Sequence, residues 1–357
     1  MRLAFATSYD PLDVDRFSGT AFYMLASLRG QGLNVRPVGP LTEDASGLLA
    51  GADRLGEQVA RKLRELRAEV VFSAGYDCVA FLRCAQPVVF WHDVTYASWI
   101  NYYNIEDPSG ELIERARAID AAALENCRLA VFASEWAAKN AVADYGVCES
   151  RVRVLPFGAN FDSGLGLEEV RAAVNGRTGR KCKLLCVGTE WHRKGFDMAL
   201  RLVAELRGQG MEAELTVVGC VPEGGSPLPD YARAPGYISK STRAGREAME
   251  RLFSEATFLV GPSRAECYGI VFAEASSFGL PSLATRTGGI PSVVKDDVNG
   301  RLFDLKADVS EYCSYIEDLM SDGRKYRELS LSAFREYETR LNWRVGARSV
   351  RNLLRQY

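Results

Sequence analysis

Histidine is scarce in this 357-residue chain: only His92 and His192 are present, which excludes a histidine-rich metal centre and argues against a zinc site. The nine cysteines include no Cys-x-x-Cys pair, so they read as reduced thiols rather than as a disulfide framework or a metal knuckle. No apolar run approaches the roughly 18 residues that span a bilayer, and Met1-Arg-Leu-Ala-Phe5 opens a strand pattern with no signal-peptide leader. The expected location is the cytoplasm, with at most peripheral contact at the inner membrane face. Lys and Arg number 44 against 46 Asp and Glu, a net charge of -2, which excludes the broad cationic surface of a nucleic-acid binder. Any phosphate has to be met locally.

Hydrophobic residues make up 47% of the chain and charged residues 25%, the balance of a globular protein, and the length exceeds one ordinary core, so two domains are expected. Apolar runs and helical spacing alternate throughout. The first half reads as strands at 2–9, 34–38, 69–73, 87–94, 129–133 and 151–155, with helices at 21–28, 52–67, 111–126 and from the Ser134 cap to Gly146. Segment 161–182, with four glycines and little apolar content, reads as a linker. A second series follows, with strands at 183–188, 214–219, 236–239, 257–261, 282–285 and 301–303 and helices at 195–207 and 243–256. A last helix, Trp343 to Leu354, has one apolar face through Val345, Ala347, Val350, Leu353 and Leu354. This alternation favours two doubly wound α/β domains facing a central cleft.

The chemistry gathers at strand ends. After the run Thr257-Phe-Leu-Val-Gly261 comes a polar turn with Glu266, then a helix carrying Glu274, eight residues on. Gly269 between them lets backbone N–H groups approach a ligand at a helix N-terminus, where the dipole favours an anion. Leu185-Cys-Val-Gly188 leads to Arg193-Lys194-Gly195, a fork of donors and a mobile point charge ahead of a new helix, which suits a diphosphate or is a solvated basic turn. The strand at 87–94 delivers His92 and Asp93 to its C-terminal end, as a ligand contact or as hydrogen-bonded structural residues. Tyr96, Trp99, Asn101, Tyr102, Tyr103 and Asn104, within 95–109, either line an acceptor cleft or pack as a surface loop. Ser18-Gly19 reads locally as a helix cap with a flexible neighbour. The basic run Arg61 to Arg67, interrupted by Glu65, reads as a solvated helix face.

In chain order, Ser18-Gly19-Thr20, His92-Asp93, Ser134-Glu135-Trp136, Val154 to Asn160, Val187-Gly188, Arg193-Lys194-Gly195, Gly236 to Lys240, Pro262-Ser263, Glu266 to Glu274, Gly288-Gly289-Ile290-Pro291 and Asn299-Gly300 resemble glycosyltransferase family 4, the retaining glycosyl transferases of group 1. The resemblance implies a GT-B fold: two Rossmann-like domains facing a central cleft, with the C-terminal helix returning to the N-terminal domain. It implies an acceptor domain over 1–160 plus 341–357 and a nucleotide-sugar domain over 161–340. The implied substrates are a UDP- or GDP-linked sugar and a saccharide, lipid-linked glycan or small-molecule hydroxyl, with no separate cofactor. By the same resemblance Arg193 and Lys194 hold the diphosphate, Glu274 the ribose and Glu266 the donor sugar, with Tyr268, Gly269 and Ile270 shaping the donor pocket. Gly19 lets its loop approach the phosphate, His92 points at the reacting sugar, and Asp93, Tyr96 and Trp99 lie on the acceptor side.

Fixed cations at Arg193 and Lys194 oppose the charge growing on a leaving diphosphate without a metal ion. Asp296-Asp297 lies beyond the Gly-Gly turn and reads as a solvated turn. No general base is assigned. The chain departs from the family in having Ser18 where Gly is common, Cys267 and Tyr268 where a small residue and Phe are frequent, and Ser292 where an acid often stands. A sugar-nucleotide epimerase or phosphorylase on the same fold, and a silent sugar-nucleotide-binding subunit, are the alternative readings; the oligomeric state is left open.

Overall fold

The structure is a computed structural model that describes residues 1–41, 51–104, 110–161, 163–177, 181–225 and 227–356. Residues 105–109 of the aromatic segment and 178–180 of the expected linker lie outside the described residues. The chain forms two compact units, Met1–Phe157 with Trp343–Tyr357, and Gly158–Asn342. No described helix is long and apolar enough to cross a membrane.

The first unit runs β1 (Arg2–Ala6), α1 (Thr20–Gly30), β2 (Asn34–Pro37), α2 (Ala52–Leu66), β3 (Val70–Ser73), β4 (Val88–His92), α3 (Tyr96–Tyr102), α4 (Glu111–Asn126), β5 (Leu129–Phe132), α5 (Glu135–Tyr145) and β6 (Val152–Val154). Its strands form one parallel sheet in the order β2-β1-β3-β4-β5-β6. β3 and β5 are buried along their whole length, as parallel strands covered on both faces must be. The Ser134 hydroxyl accepts from Ala137 N and Gly146 closes α5 in the left-handed region, so both signals read from sequence act as stated.

The aromatic segment 96–102 is a helix, not a loop. Thr95 caps it by accepting from Ser98 N, and the buried Asp120 carboxylate on α4 accepts from Tyr96 N (2.9 Å) and Ala97 N (2.8 Å). Ala97 and Ile100 pack on Ala116, with Trp99 partly buried against the same cluster. The counter-charge that satisfies the helix start is more than 20 residues away in sequence, beyond the reach of a local pattern.

The second unit runs α6 (Leu167–Arg177), β7 (Lys181–Val187), α7 (Phe196–Gly208), β8 (Glu212–Val218), β9 (Ala232–Gly236), α8 (Arg243–Glu255), β10 (Phe258–Gly261), α9 (Ile270–Ser277), β11 (Ser282–Thr285), α10 (Ile290–Val293), β12 (Gly300–Phe303), α11 (Val309–Ser321) and α12 (Gly323–Thr339). The parallel sheet has the order β12-β11-β10-β7-β8-β9. Two expectations need correction. The supposed linker contains α6, held by Val170 and Val174 one turn apart and by the buried Arg177, whose guanidinium donates to the carbonyls of Phe253, Ser254, Phe278 and Gly279. The short strand lies at 232–236 rather than 236–239, pairing Leu215 with Ala232 and Val218 with Gly236; as the edge strand it accommodates Pro235, which has no N–H to donate.

The chain ends with α13 (Trp343–Leu354), which belongs to the first unit. Its buried face is Trp343, Gly346, Ala347, Val350 and Leu354, with Val345 and Leu353 only half-buried. The Trp343 ring meets Trp91 at 5.3 Å and Phe157 at 5.4 Å. A Cβ on Gly346 would stand 2.6 Å from the Trp91 ring, so glycine is what lets the helix approach.

Candidate functional site

In the second unit the chain starts at β7, builds outward through β8 and β9, then returns to the other side of β7 and builds through β10, β11 and β12. The loops after β7 and β10 therefore diverge, and their fork is where open α/β sheets bind ligands. The β7 loop carries Arg193 and Lys194, and the β10 loop carries Glu266.

The two loops are sewn together. Arg264 N donates to Arg193 O (2.8 Å) and Arg193 Nη1 to Ala265 O (2.9 Å), while Arg264 makes a bidentate pair with Asp197 in the first turn of α7 (2.9 and 2.8 Å). Gly195 has a left-handed φ, and a Cβ there would lie 2.1 Å from Pro262 O, so the α7 N-terminus reaches the β10 loop only because residue 195 is bare. Gly269 caps α9 at φ 85°, and a Cβ would meet the Phe272 ring at 2.6 Å. Gly289 N donates to Glu266 O (3.0 Å), which ties the Gly-Gly turn to the same loop.

On this frame Lys194 Nζ pairs with Glu266 Oε2, and Arg193 Nη1 lies 3.6 Å from the same oxygen. Arg193 also donates to Glu190 (2.6 Å), and that hydrogen bond holds the Glu190 carboxyl below the usual carboxylate range. Hydrogen bonding to Arg264 likewise lowers Asp197. Tyr268 is buried, and Ile270 begins α9, where the Phe272 N–H donates to the cap carbonyl Gly269 O (3.0 Å) and the Ile270 and Val271 N–H groups precede the first helical acceptor. Glu274, in the second turn of α9, is buried and pairs with Lys240 Nζ (2.7 Å). Glu190 and Lys240 were not singled out as site residues from sequence. Lys240 ends the Gly236 to Lys240 motif, but nothing local distinguishes it from a solvated lysine; its partner comes from a helix 34 residues later.

In the first unit the sheet forks between β1 and β3. The β1 loop leads to Gly19, whose φ of 84° and missing Cβ, which would stand 2.8 Å from Val14 O, both require glycine. Phe17 and Ser18 before it are also left-handed, at φ 46° and 57°, a conformation that costs roughly 1–3 kcal/mol per non-glycine residue. The β3 loop brings Asp77, accepting from Cys78 N (3.0 Å), to this fork, a residue the sequence reading passed over. One strand further, His92 ends β4 and Asp93 follows it. His92 Nδ1 lies 2.9 Å from Val94 O and 3.2 Å from Asp93 Oδ1. Tyr96 packs near His92 at 6.2 Å between ring centroids, whereas Trp99 serves the α3–α4 contact. Burial pushes the Asp120 carboxyl up to about 6, against the pull of the Ala97 and Tyr96 N–H groups and the Tyr145 hydroxyl.

Residues 181–322 match the family described as Glycosyl transferases group 1. Among curated proteins, the sulfoquinovosyl transferase SQD2 of Arabidopsis thaliana is 28% identical over 54% of this chain and 37% of its own length. The D-inositol 3-phosphate glycosyltransferase of a Mycobacterium species is 29% identical over 53% of this chain and 44% of its own length. The matched stretch thus spans less than half of either relative. Anabaena HepE, solved in complex with UDP-glucose, superposes with a TM-score of 0.70 over 100% of this chain and 99% of its own, at 15% identity, a likeness of fold. The family match is confined to residues 181–322, and the whole chain is similar in its α/β fold to the GT-B glycosyltransferases.

Proposed function

We propose that this protein is a retaining, metal-independent glycosyltransferase that binds a nucleotide-diphosphate sugar in its second unit and passes the sugar to a hydroxyl acceptor. The observation that carries the reading is the Arg193–Lys194 pair at the fork of the second sheet, sharing the Glu266 carboxylate. An incoming diphosphate competes with that carboxylate for both cations. As the bond from the anomeric carbon to phosphate oxygen breaks, negative charge grows on the diphosphate and positive charge on the sugar ring. Arg193, Lys194 and the Ile270 and Val271 N–H groups at the start of α9 stabilise the first, and the displaced Glu266 carboxylate the second. The acceptor oxygen bonds to the same face of the carbon, and its proton passes to the departing phosphate oxygen. Glu274 takes the ribose hydroxyls. In the first unit His92 is the group for the reacting sugar, with Asp93 and Tyr96 beside it as acceptor-side groups.

HepE is solved with UDP-glucose, which supports uridine sugars as the first donors to try. UDP-, GDP- and ADP-sugars are titrated in EDTA by thermal shift, then incubated with hydroxyl acceptors, and the anomeric configuration of the product is read by NMR. A donor at 100 times its Kd adds about 2.7 kcal/mol. Transfer with retained configuration in chelator is expected. Complete loss of transfer in EDTA, restored by Mg²⁺, overturns metal independence. Isomerisation without acceptor, turnover only with inorganic phosphate, or binding without turnover would identify an epimerase, a phosphorylase or a silent subunit instead.

A further inference from the structure

Glu274 is the one charged residue of α9, a helix whose residues Val271 to Ser277 are all buried, and its side chain is only 3% exposed. A carboxylate in such surroundings needs a counter-charge. Lys240 Nζ supplies it at 2.7 Å from Oε1, and the same ammonium donates to Asn160 O at 3.1 Å. Oε2 of Glu274 accepts no hydrogen bond among the described residues and is not one of the buried side-chain atoms left without a partner, so it is the accessible oxygen of the carboxylate, open to a ligand hydroxyl.

The loop that carries Lys240 is itself fixed. Arg246 Nη1 donates to Lys240 O (3.0 Å) and Ser241 O (3.1 Å), Thr242 caps α8 by accepting from Gly245 N, and a Cβ on Gly245 would lie 1.8 Å from Ser239 O. The lysine therefore projects from a rigid base, at the end of a strand, onto a single oxygen of a single carboxylate.

We propose that Lys240 is a positioning residue of the nucleotide site: it engages Oε1 of Glu274 and so turns Oε2 toward the vicinal hydroxyls of the donor's ribose. The proposal rests on the reading of Glu274 as the ribose contact. Lys240 then controls the choice between ribose and deoxyribose through Glu274 rather than by touching the ligand.

The test measures dissociation constants of UDP and 2′,3′-dideoxy-UDP for the full-length protein and for Lys240→Met, Lys240→Arg, Glu274→Gln and the double variant Lys240→Met/Glu274→Gln. Hydroxyl donation to a carboxylate gives the native protein a preference for UDP of about tenfold or more. That preference is expected to vanish in Glu274→Gln and in Lys240→Met, to survive in Lys240→Arg, and to be no lower in the double variant than in Glu274→Gln alone. Lys240→Met that keeps the preference while Glu274→Gln loses it overturns the role of Lys240 and leaves the donor reading intact. Glu274→Gln that keeps the preference overturns both. Should Lys240→Met fail to fold, the double variant, which buries no charge at this place, still decides: UDP binding weaker than in Glu274→Gln means that Lys240 acts directly on the ligand and overturns the proposal.

Discussion

Replacing Glu266 by Gln should strengthen ground-state binding and slow turnover at the same time. The carboxylate pairs with Lys194 and lies 3.6 Å from Arg193, so two cations are committed to it before any ligand arrives. At an effective dielectric constant of about 20, the Arg193 pair alone has a gross attraction of about 5 kcal/mol, most of which desolvation offsets. If about a third is released to an incoming diphosphate, UDP binds roughly tenfold tighter, since 1.4 kcal/mol is a factor of ten. Without the charge that faces the developing oxocarbenium, kcat falls by about 10². In the ligand-free variant Lys194 loses its carboxylate while Arg193 keeps Glu190 beside it, so its melting temperature drops and UDP restores it. Calorimetric titration with UDP, kcat at saturating donor, and melting curves with and without UDP measure all three. Weaker UDP binding together with an unchanged kcat would refute the reasoning, because Glu266 would then be a simple binding contact rather than a competitor displaced by the diphosphate.

Arg177→Met leaves four backbone carbonyls at the ends of α8 and α9 without their donor and should destabilise the second unit by about 3–5 kcal/mol; urea unfolding with hydrogen exchange at residues 253–254 and 278–279 checks it, and a loss below about 1 kcal/mol would contradict it. Asp120 titrates near 3.8 when unfolded and at about 6 when folded, so the folded protein holds its proton more tightly between those values. Its contribution to stability is complete below about pH 4 and is lost as the pH rises through 6, a change of about 3 kcal/mol. Subtracting the pH profile of Asp120→Asn from that of the native protein should isolate this fall, and parallel profiles would disprove it.

The sequence by itself determined what local periodicity encodes: the alternation of apolar strands with helices, the caps at Ser134 and Gly146, the helix 343–354, and the placement of Arg193, Lys194 and Glu266 on loops after buried strands. These follow from neighbours within a few residues, where spacing and side-chain type are sufficient. Tertiary structure decided what depends on partners distant in the chain. Helix α3 starts where it does because Asp120, on another helix, meets its free N–H groups. Helix α6 holds in a glycine-bearing stretch because Arg177 finds two carbonyls in the last turn of α8 and two just past the end of α9. Strand β9 lies at 232–236 because β8 sets its register. Within the candidate site, glutamates eight residues apart were legible as a pair, but Lys240 was not, since a lysine acquires this role only when the sheet brings β9 and α9 together and burial makes its counter-charge necessary. Nearest-neighbour chemistry can be read from the order of residues; charge compensation in a low-dielectric interior is a property of the folded arrangement.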